Sequence, residues 1–435
     1  MPARVTFIHS GDLHLGAPFR GLSGLSEKWS RRLADAIPQA FDTIIDACIE
    51  SQVDFLLLAG DVFDTAKPGY GHYRRFIDGL RRLEAQGIAV YVVCGNHDPI
   101  SNWDEIAPQL PANTELLASD RPRYLVHYRN GEPLAVIAGR GFPLYFGDES
   151  IIHGMTRSNA LKATSQELNG RSVPFVIGMT HTGLWLARDK APVSKAEIMA
   201  SGMDYWALGH IHKMYLMPQD APELAFCGIP QGRDIHEQGD RFCLKVTLEE
   251  DRPNRVDLIP TSSVAWRILD VDVSDCGNLG EVSKACIGAM YAANREMLCE
   301  EMVARLRLTG PSGAGSVDSA AQVARSGMLA QLRNPAALEE LRWELNEGCP
   351  SFFCDGISLE VSCEPENVGE SGPFAKLVMQ EIGAMGQNPT RMSEELMEDF
   401  SRLGVMVPDG LLKGLDACMA KAQDTCIELL GGAGL

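Results

Sequence analysis

The chain has 435 residues, 45% hydrophobic and 22% charged, a balance that excludes disordered, collagenous and fibrous classes and, at roughly 150 residues per domain, predicts two or three globular domains. No apolar run approaches the ~20 residues that span a bilayer, and the opening Met-Pro-Ala-Arg-Val-Thr-Phe-Ile-His-Ser lacks the apolar centre of a signal peptide, so a cytoplasmic protein without membrane association is expected. The net charge is −19, and it is uneven: residues 1–263 carry 26 basic and 32 acidic side chains, residues 264–435 carry 13 and 26, a balance that argues against an electropositive nucleic-acid groove unless bound cations or a basic partner reverse it locally.

In chain order, residues 5–9 predict a strand. Residues 27–51 predict a helix, with Leu33, Ile37, Phe41, Ile44 and Cys48 on one face. The apolar run 53–59 is a strand, 73–86 a helix and 88–94 another strand. Further strands are predicted at 134–138, 175–179, 205–208 and 242–248. Short apolar runs bounded by polar turns suggest strands buried on both faces, hence a layered α/β domain with helices outside. Around 252–261, with two prolines and little periodicity, the pattern changes. Strand 266–273, helix 279–293, strand 302–309, a Gly/Ser/Pro turn at 310–315, helices 319–333 and 336–346 and a strand near 357–363 follow. From 372 the chain reads as helical. The expected organisation is a catalytic domain at 1–263, a small α/β domain at 264–371 and a helical tail at 372–435. Twelve cysteines contain no C-x-x-C pair, so they read as reduced, buried small hydrophobes and not as a disulfide or zinc framework.

All ten histidines lie at or before His236. Five polar clusters directly follow apolar strands: Asp12-Leu13-His14, Gly60-Asp61-Val62-Phe63-Asp64, Gly95-Asn96-His97-Asp98, Thr180-His181-Thr182 and Gly209-His210-Ile211-His212. In α/β folds the carboxyl ends of strands are where ligands bind, so these clusters are expected to converge. Carboxylate, imidazole and amide donors suit Mn²⁺, Fe²⁺ or Zn²⁺, and such a set suits two divalent ions, with a carboxylate bridging them and a bound water made acidic enough to give hydroxide at neutral pH.

These clusters, in this order, resemble the calcineurin-like metallophosphoesterases over about residues 4–250. The opening F-I-H-S-G-D-L-H-L-G, the G-D-V-F-D-T followed by K-P, and G-I-P-Q-G-R resemble the SbcD/YhaO type of DNA repair exonuclease, which pairs with an SMC-like coiled-coil ATPase; the segment at residues 304–310 resembles it more weakly. The resemblance implies a layered β-sandwich flanked by helices, with a smaller capping α/β domain. It implies that Asp12, His14 and His212 bind one ion, Asn96, His181 and His210 the other, and that Asp61 bridges them, Mn²⁺ being the favoured metal. His97 would face the scissile phosphate, with Asp98 orienting it or stabilising its charge, and Asp64 would support the ligands from behind. No ligand position is substituted. The implied partners are DNA, the ATPase through the C-terminal region, and a second copy of the chain in a homodimer.

Other readings stay open. The same metal site serves enzymes acting on small phosphodiesters, cyclic nucleotides or phosphoproteins, and a non-catalytic scaffold for an ATPase is a third possibility. His9, His72, His127 and His153 read as structural or surface residues. Arg233 reads either as a phosphate contact or as a loop salt bridge, and His236 beside it is open. Arg74, Arg75, Arg81 and Arg82 read first as a solvated helix face and second as a DNA-contact stripe. In residues 409–430, Leu411, Leu412, Leu415, Cys418, Met419, Ala422, Cys426, Leu429 and Leu430 form an apolar stripe that either packs on its own domain or docks a partner.

Overall fold

The computed structural model describes residues 2–19, 25–65, 68–104, 106–117, 121–142, 150–184, 193–311 and 327–362. The expected helices of the tail, and its apolar stripe, lie outside these residues. The chain divides into two compact units, the first formed by residues 1–268 with 292–304 and 350–355, the second by 269–291, 305–349 and the residues from 356 onward.

The first unit is built on two six-stranded sheets. One takes β1 (Arg4–Ser10), β2 (Phe55–Ala59), β3 (Ala89–Val93), β4 (Thr114–Leu117), β11 (Phe242–Glu249) and β12 (Arg255–Pro260) in the order β12-β11-β1-β2-β3-β4. The other takes β5 (Arg123–Arg129), β6 (Glu132–Arg140), β7 (Phe175–His181), β8 (Tyr205–Gly209), β9 (Tyr215–Met217) and β10 (Leu224–Phe226) in the order β5-β6-β7-β8-β10-β9. Pairing is parallel from β1 to β4 and from β6 through β7 and β8 to β10. The antiparallel strands lie at the outer positions.

Alternation along each central strand explains why these runs are apolar throughout. Phe7, Phe55, Leu57, Tyr91 and Val93 point to the second sheet and meet Ala135, Ile137, Phe175, Ile177, Met179, Tyr205 and Ala207. Their neighbours Ile8, Leu56, Leu58, Val90 and Val92 point outward, under α1 (Glu27–Glu50) and α2 (Tyr70–Glu84), and pack on Ile37, Phe41, Ile44, Phe76 and Leu80. On the far side, Val136, Val176, Trp206 and Leu208 pack with Ala160 and Leu168 of α3 (Arg157–Leu168) and Ile198 of α4 (Lys195–Ala200). The result is the expected β-sandwich flanked by helices. At about 25 cal/mol per Å² of apolar surface, burial of these strands on both faces is the main force holding the layers together.

The proline-bearing stretch around 252–261 contains the strand β12, Arg255–Pro260, paired antiparallel with β11 through Cys243↔Ile259 and Val246↔Val256. It is an edge strand with mixed exposure, which blurs its periodicity, and an edge position tolerates Pro260 because half of its N–H groups face away from the ladder. Strands β4, β5, β9 and β10 and helices α3 and α4 also escaped the sequence reading.

After β12 come β13 (Val264–Asp272), α5 (Leu279–Arg295), β14 (Glu301–Pro311), α6 (Pro335–Gly348) and β15 (Phe352–Ser362), with the sheet order β13-β14-β15. The starts of these strands belong to the first unit, where Val264, Trp266, Val303 and Phe353 pack on Trp29, Leu33 and Ala36 of α1. Within the second unit, Val282, Cys286 and Met290 of α5 and Leu341 and Leu345 of α6 are buried. The nine described free cysteines are all buried. No described helix is long and apolar enough to cross a membrane.

Candidate dinuclear metal centre

The five polar clusters sit at the carboxyl ends of β1, β2, β3, β7 and β8, drawn from both sheets, and meet at one edge of the sandwich. The loops leaving β1 and β2 run side by side: Asp12 N donates to Gly60 O at 2.9 Å and His14 N to Asp61 O at 3.0 Å. Four of the expected ligands, Asp12, His14, Asp61 and His210, have φ of 49°, 48°, 49° and 95°. Non-glycine residues in the left-handed region are strained and persist where surrounding structure holds them. Here that strain turns successive side chains toward one point. Gly95 makes room for Asp61, since a Cβ on it would lie 2.0 Å from Asp61 Oδ1.

Two groups of donors result. Asp12, His14 and His212 form one, and Asp61, His181 and His210 the other; each could hold a cation. In the first, His14 Nε2 lies 3.2 Å from His212 Nε2, and His212 Nε2 lies 3.9 Å from Asp12 Oδ1. In the second, Asn96 Oδ1 lies 3.1 Å from His181 Nε2 and 2.9 Å from His210 Nδ1, and the two ring nitrogens are 3.2 Å apart. Asp61 Oδ2 stands between the groups, 3.4 Å from His181 Nε2 and 3.8 Å from His14 Nε2. Its other oxygen accepts from His97 N at 2.8 Å. Asp12 accepts from His210 N at both oxygens, at 3.1 and 3.0 Å. All seven expected metal ligands are therefore brought together.

The donor set fits divalent ions. His14 Nδ1 faces Asp64 at 3.1 Å, His212 Nδ1 faces Glu237 at 2.7 Å, and His181 Nδ1 donates to Ala59 O at 2.8 Å. These contacts turn the Nε2 lone pairs of all three rings inward, onto buried carboxylates. Facing lone pairs and anions need positive charge between them, and mixed imidazole, carboxylate and amide donors are what Mn²⁺, Fe²⁺ and Zn²⁺ accept. The protonation behaviour reflects the same crowding. Burial alone would lower His181, but Asp61 outweighs it and raises the imidazole to about 9. Burial alone would raise Asp61, but His181 and His14 hold it below the usual carboxylate range. Burial raises Asp12 against the pull of His181 and His212.

His97 stands apart. Its side chain is 43% exposed, its Nδ1 lies 3.0 Å from the Asp64 carbonyl, and its ring packs edge-on against His14. That leaves Nε2 as the nitrogen available to a substrate. His97, His14 and Asp64 also come close enough to form a third potential cation group.

Asp98 has a different setting from the one expected. Its carboxylate accepts from Gly95 N at 2.7 Å, Val62 N at 2.8 Å and Phe63 N at 3.2 Å. It is buried, and burial with the charge of Asp61 pushes it up to about 8, against the backbone donors that favour the anion. Asp98 thus ties the loop after β3 to the loop after β2, and the residue beside the His97 ring is Asp64.

Glu237 and Arg233 complete the site and Glu237 was not anticipated. Glu237 Oε1 receives His212 Nδ1, and burial alone would raise this acid, but His212 and Arg233 outweigh it and lower it to about 2. Arg233 pairs with Asp64 and Glu237. A buried acid four residues after an arginine was the available signal, and nothing in the spacing linked it to a histidine 25 residues earlier. His9 and His127 are buried structural residues, facing Tyr205 Oη at 3.0 Å and Tyr91 Oη at 3.1 Å. Arg75 and Arg82 of α2 pair with Asp42 and Asp46 of α1, and Arg74 and Arg81 with Asp78, so the arginine face of α2 is matched by acids.

Comparison with known proteins agrees with this geometry. The chain is 31% identical over 279 residues to the uncharacterized metallophosphoesterase YhaO of Bacillus subtilis, the match covering 63% of this chain and 65% of that protein's length. It is 31% identical over 288 residues to the SbcD component of the nuclease SbcCD of Bacillus subtilis, covering 57% and 66%. It is 23% identical over 355 residues to the DNA double-strand break repair protein Mre11 of Aeropyrum pernix, covering 78% and 81%. The calcineurin-like phosphoesterase family matches residues 5–214, a span that holds every one of the seven clustered donors together with His97, and this part of the chain is a calcineurin-like metallophosphoesterase domain.

Proposed function

We propose that the protein is a dinuclear-metal phosphodiesterase that hydrolyses DNA phosphodiester bonds as an exonuclease in DNA repair. The observation that carries this reading is the position of Asp61 Oδ2 between His14 Nε2 and His181 Nε2, the place of a carboxylate shared by two ions. Asp12, His14 and His212 would hold the first ion and Asn96, His181 and His210 the second, with Asp61 common to both. Ions held there, most simply Mn²⁺, would supply Lewis acidity that activates water and offsets charge on the phosphoryl oxygens. The chain's own residues do the rest. The backbone of the β1 and β2 loops fixes the donors, the buried walls exclude water from their backs, and His97 presents Nε2 to the scissile phosphate, where it stabilises the developing charge or protonates the leaving oxygen.

The choice of DNA rests on the relatives named for double-strand break repair and for the SbcCD nuclease. A chain of net −19 engages a polyanion poorly through its own surface, which supports a partner, an SMC-like coiled-coil ATPase docking through the C-terminal tail at residues 372–435. Digestion of end-labelled single- and double-stranded DNA with and without Mn²⁺ tests the reading. Metal-dependent release of nucleotides from ends is expected. Hydrolysis of a small phosphodiester with no cleavage of either DNA would move the substrate to the small-molecule class, and no hydrolysis of either would leave a scaffold.

A further inference from the structure

Arg233 lies in the loop after β10, with a side chain 18% exposed, between two carboxylates from distant parts of the chain. Its Nη1 donates to Asp64 Oδ1 at 3.2 Å and its Nη2 to Glu237 Oε1 at 3.3 Å, while its backbone N donates to Glu237 Oε2 at 2.7 Å. Those same carboxylate oxygens each face an imidazole: Asp64 Oδ1 faces His14 Nδ1 at 3.1 Å, and Glu237 Oε1 faces His212 Nδ1 at 2.7 Å. The two imidazoles face each other through Nε2 at 3.2 Å. His14, Asp64, Arg233, Glu237 and His212 thus form a closed ring of side chains around one end of the site.

We propose that Arg233 is a positioning residue for the first metal site: it locks the two carboxylates that orient His14 and His212, and does not bind the substrate phosphate. This deepens the dinuclear reading and rests on it. A guanidinium presents a rigid fork of donors, so one residue can hold two carboxylates at a set separation, which a lysine ammonium on a flexible stem does not do. Each carboxylate in turn accepts a hydrogen bond from the Nδ1–H of a histidine and so sets which nitrogen would face an ion. Both acids are largely buried, with side chains 10% and 11% exposed, and removing the cation would take away the positive charge that links them. They would separate and carry the imidazoles with them. In the second site His181 is oriented instead by a backbone group, the carbonyl of Ala59 at 2.8 Å.

The loss on removing Arg233 is therefore site-selective. Orienting partners of metal-bound histidines are worth about 10–100-fold in metal affinity. Mn²⁺ titration calorimetry on the full chain, with circular dichroism as a check of fold, compares wild type, Arg233→Met and Arg233→Lys. Wild type takes two ions. Arg233→Met keeps one near its original affinity and binds the other about 10–100-fold more weakly, and Arg233→Lys lies between, because it restores charge but not the fork. Should Arg233→Met misfold, Glu237→Gln breaks the same ring from the carboxylate side and is expected to give the same one-site loss. Unchanged affinity at both sites, with a raised KM for a phosphodiester, would make Arg233 a phosphate contact and overturn the proposal, as would equal weakening of both sites. Fewer than two ions in the wild type would overturn the dinuclear reading itself, a result distinguishable from either of these.

Discussion

The Nδ1–H of His181, at the end of β7 in one sheet, donates to the carbonyl of Ala59, at the end of β2 in the other, at 2.8 Å. This bond crosses the sandwich at the edge where the donors meet, so it aligns the two sheets and sets the tautomer of a candidate ligand together. It depends on Gly60, whose φ is +90° and where a Cβ would lie 2.4 Å from His181 Nδ1. Gly60→Ala therefore faces both backbone strain and a clash with a fully buried ring. A left-handed position forced on alanine costs on the order of 1–3 kcal/mol, and the displaced ring should weaken the second ion. A lowered thermal midpoint with loss of one Mn²⁺ in calorimetry is expected; an unchanged midpoint and two tight ions would show that the close approach of the sheets is dispensable.

Asp61 is the most exposed to substitution among the donors, in the chemical sense that it is shared. Its Oδ2 faces histidines of both groups and its Oδ1 accepts from His97 N. Asp61→Asn keeps the shape and one acceptor but removes the charge that two candidate ion sites would share. The variant should fold, lose Mn²⁺-dependent hydrolysis, and lose at least one ion. A folded variant with two ions and near-normal turnover would remove Asp61 from the bridging role.

His97 and Asp98 are neighbours in sequence with separable parts. His97→Ala should lower kcat by roughly 10²–10⁴, the range for a lost general acid or base, with metal stoichiometry and thermal midpoint close to wild type. Asp98→Ala strands three buried backbone N–H groups, each costing about 1–3 kcal/mol when unsatisfied, so its main effect should be a large drop in the midpoint. If Asp98→Ala melts like wild type and loses only turnover, Asp98 acts on His97 after all.

Much of this centre was readable because its donors follow the apolar strands directly, and a buried parallel strand is the clearest signal a sequence carries. Asp12, Asp61, Asn96, His181 and His210 each sit within three residues of such a strand end. Arg233 and Glu237 were harder because they lie on a loop whose approach to His212 is tertiary and leaves no periodic trace. The role of Asp98 was hidden for the same reason: three backbone N–H groups on two loops have no signature in residue types. The strands that escaped notice, β4, β5, β9, β10 and β12, are short or lie at or near sheet edges, where mixed exposure replaces strict alternation. α3 escaped because its apolar face is narrow, with only Ala160, Thr164 and Leu168 buried.

His127 gives the domain a pH dependence that is independent of any metal. It lies on β5, is 8% exposed, sits edge-on to Phe55 and faces Tyr91 Oη at 3.1 Å. Burial lowers its imidazole to about 4, slightly opposed by Asp54. In the unfolded chain the same group titrates near 6.5. Between these values the unfolded state binds more protons than the folded one, so stability rises with pH there. The contribution is complete above about pH 6.5 and is lost progressively as pH falls toward 4, with a slope of at most about 1.4 kcal/mol per pH unit from this one group. His127→Gln keeps a polar side chain without the titration. Urea unfolding of metal-free protein at about pH 7 and about pH 5 should show a smaller acid loss in His127→Gln than in wild type, whatever the absolute stability of the variant. Equal losses in the two proteins would mean that His127 does not remain neutral in the folded state over this range, and that the acid sensitivity of the domain comes from elsewhere.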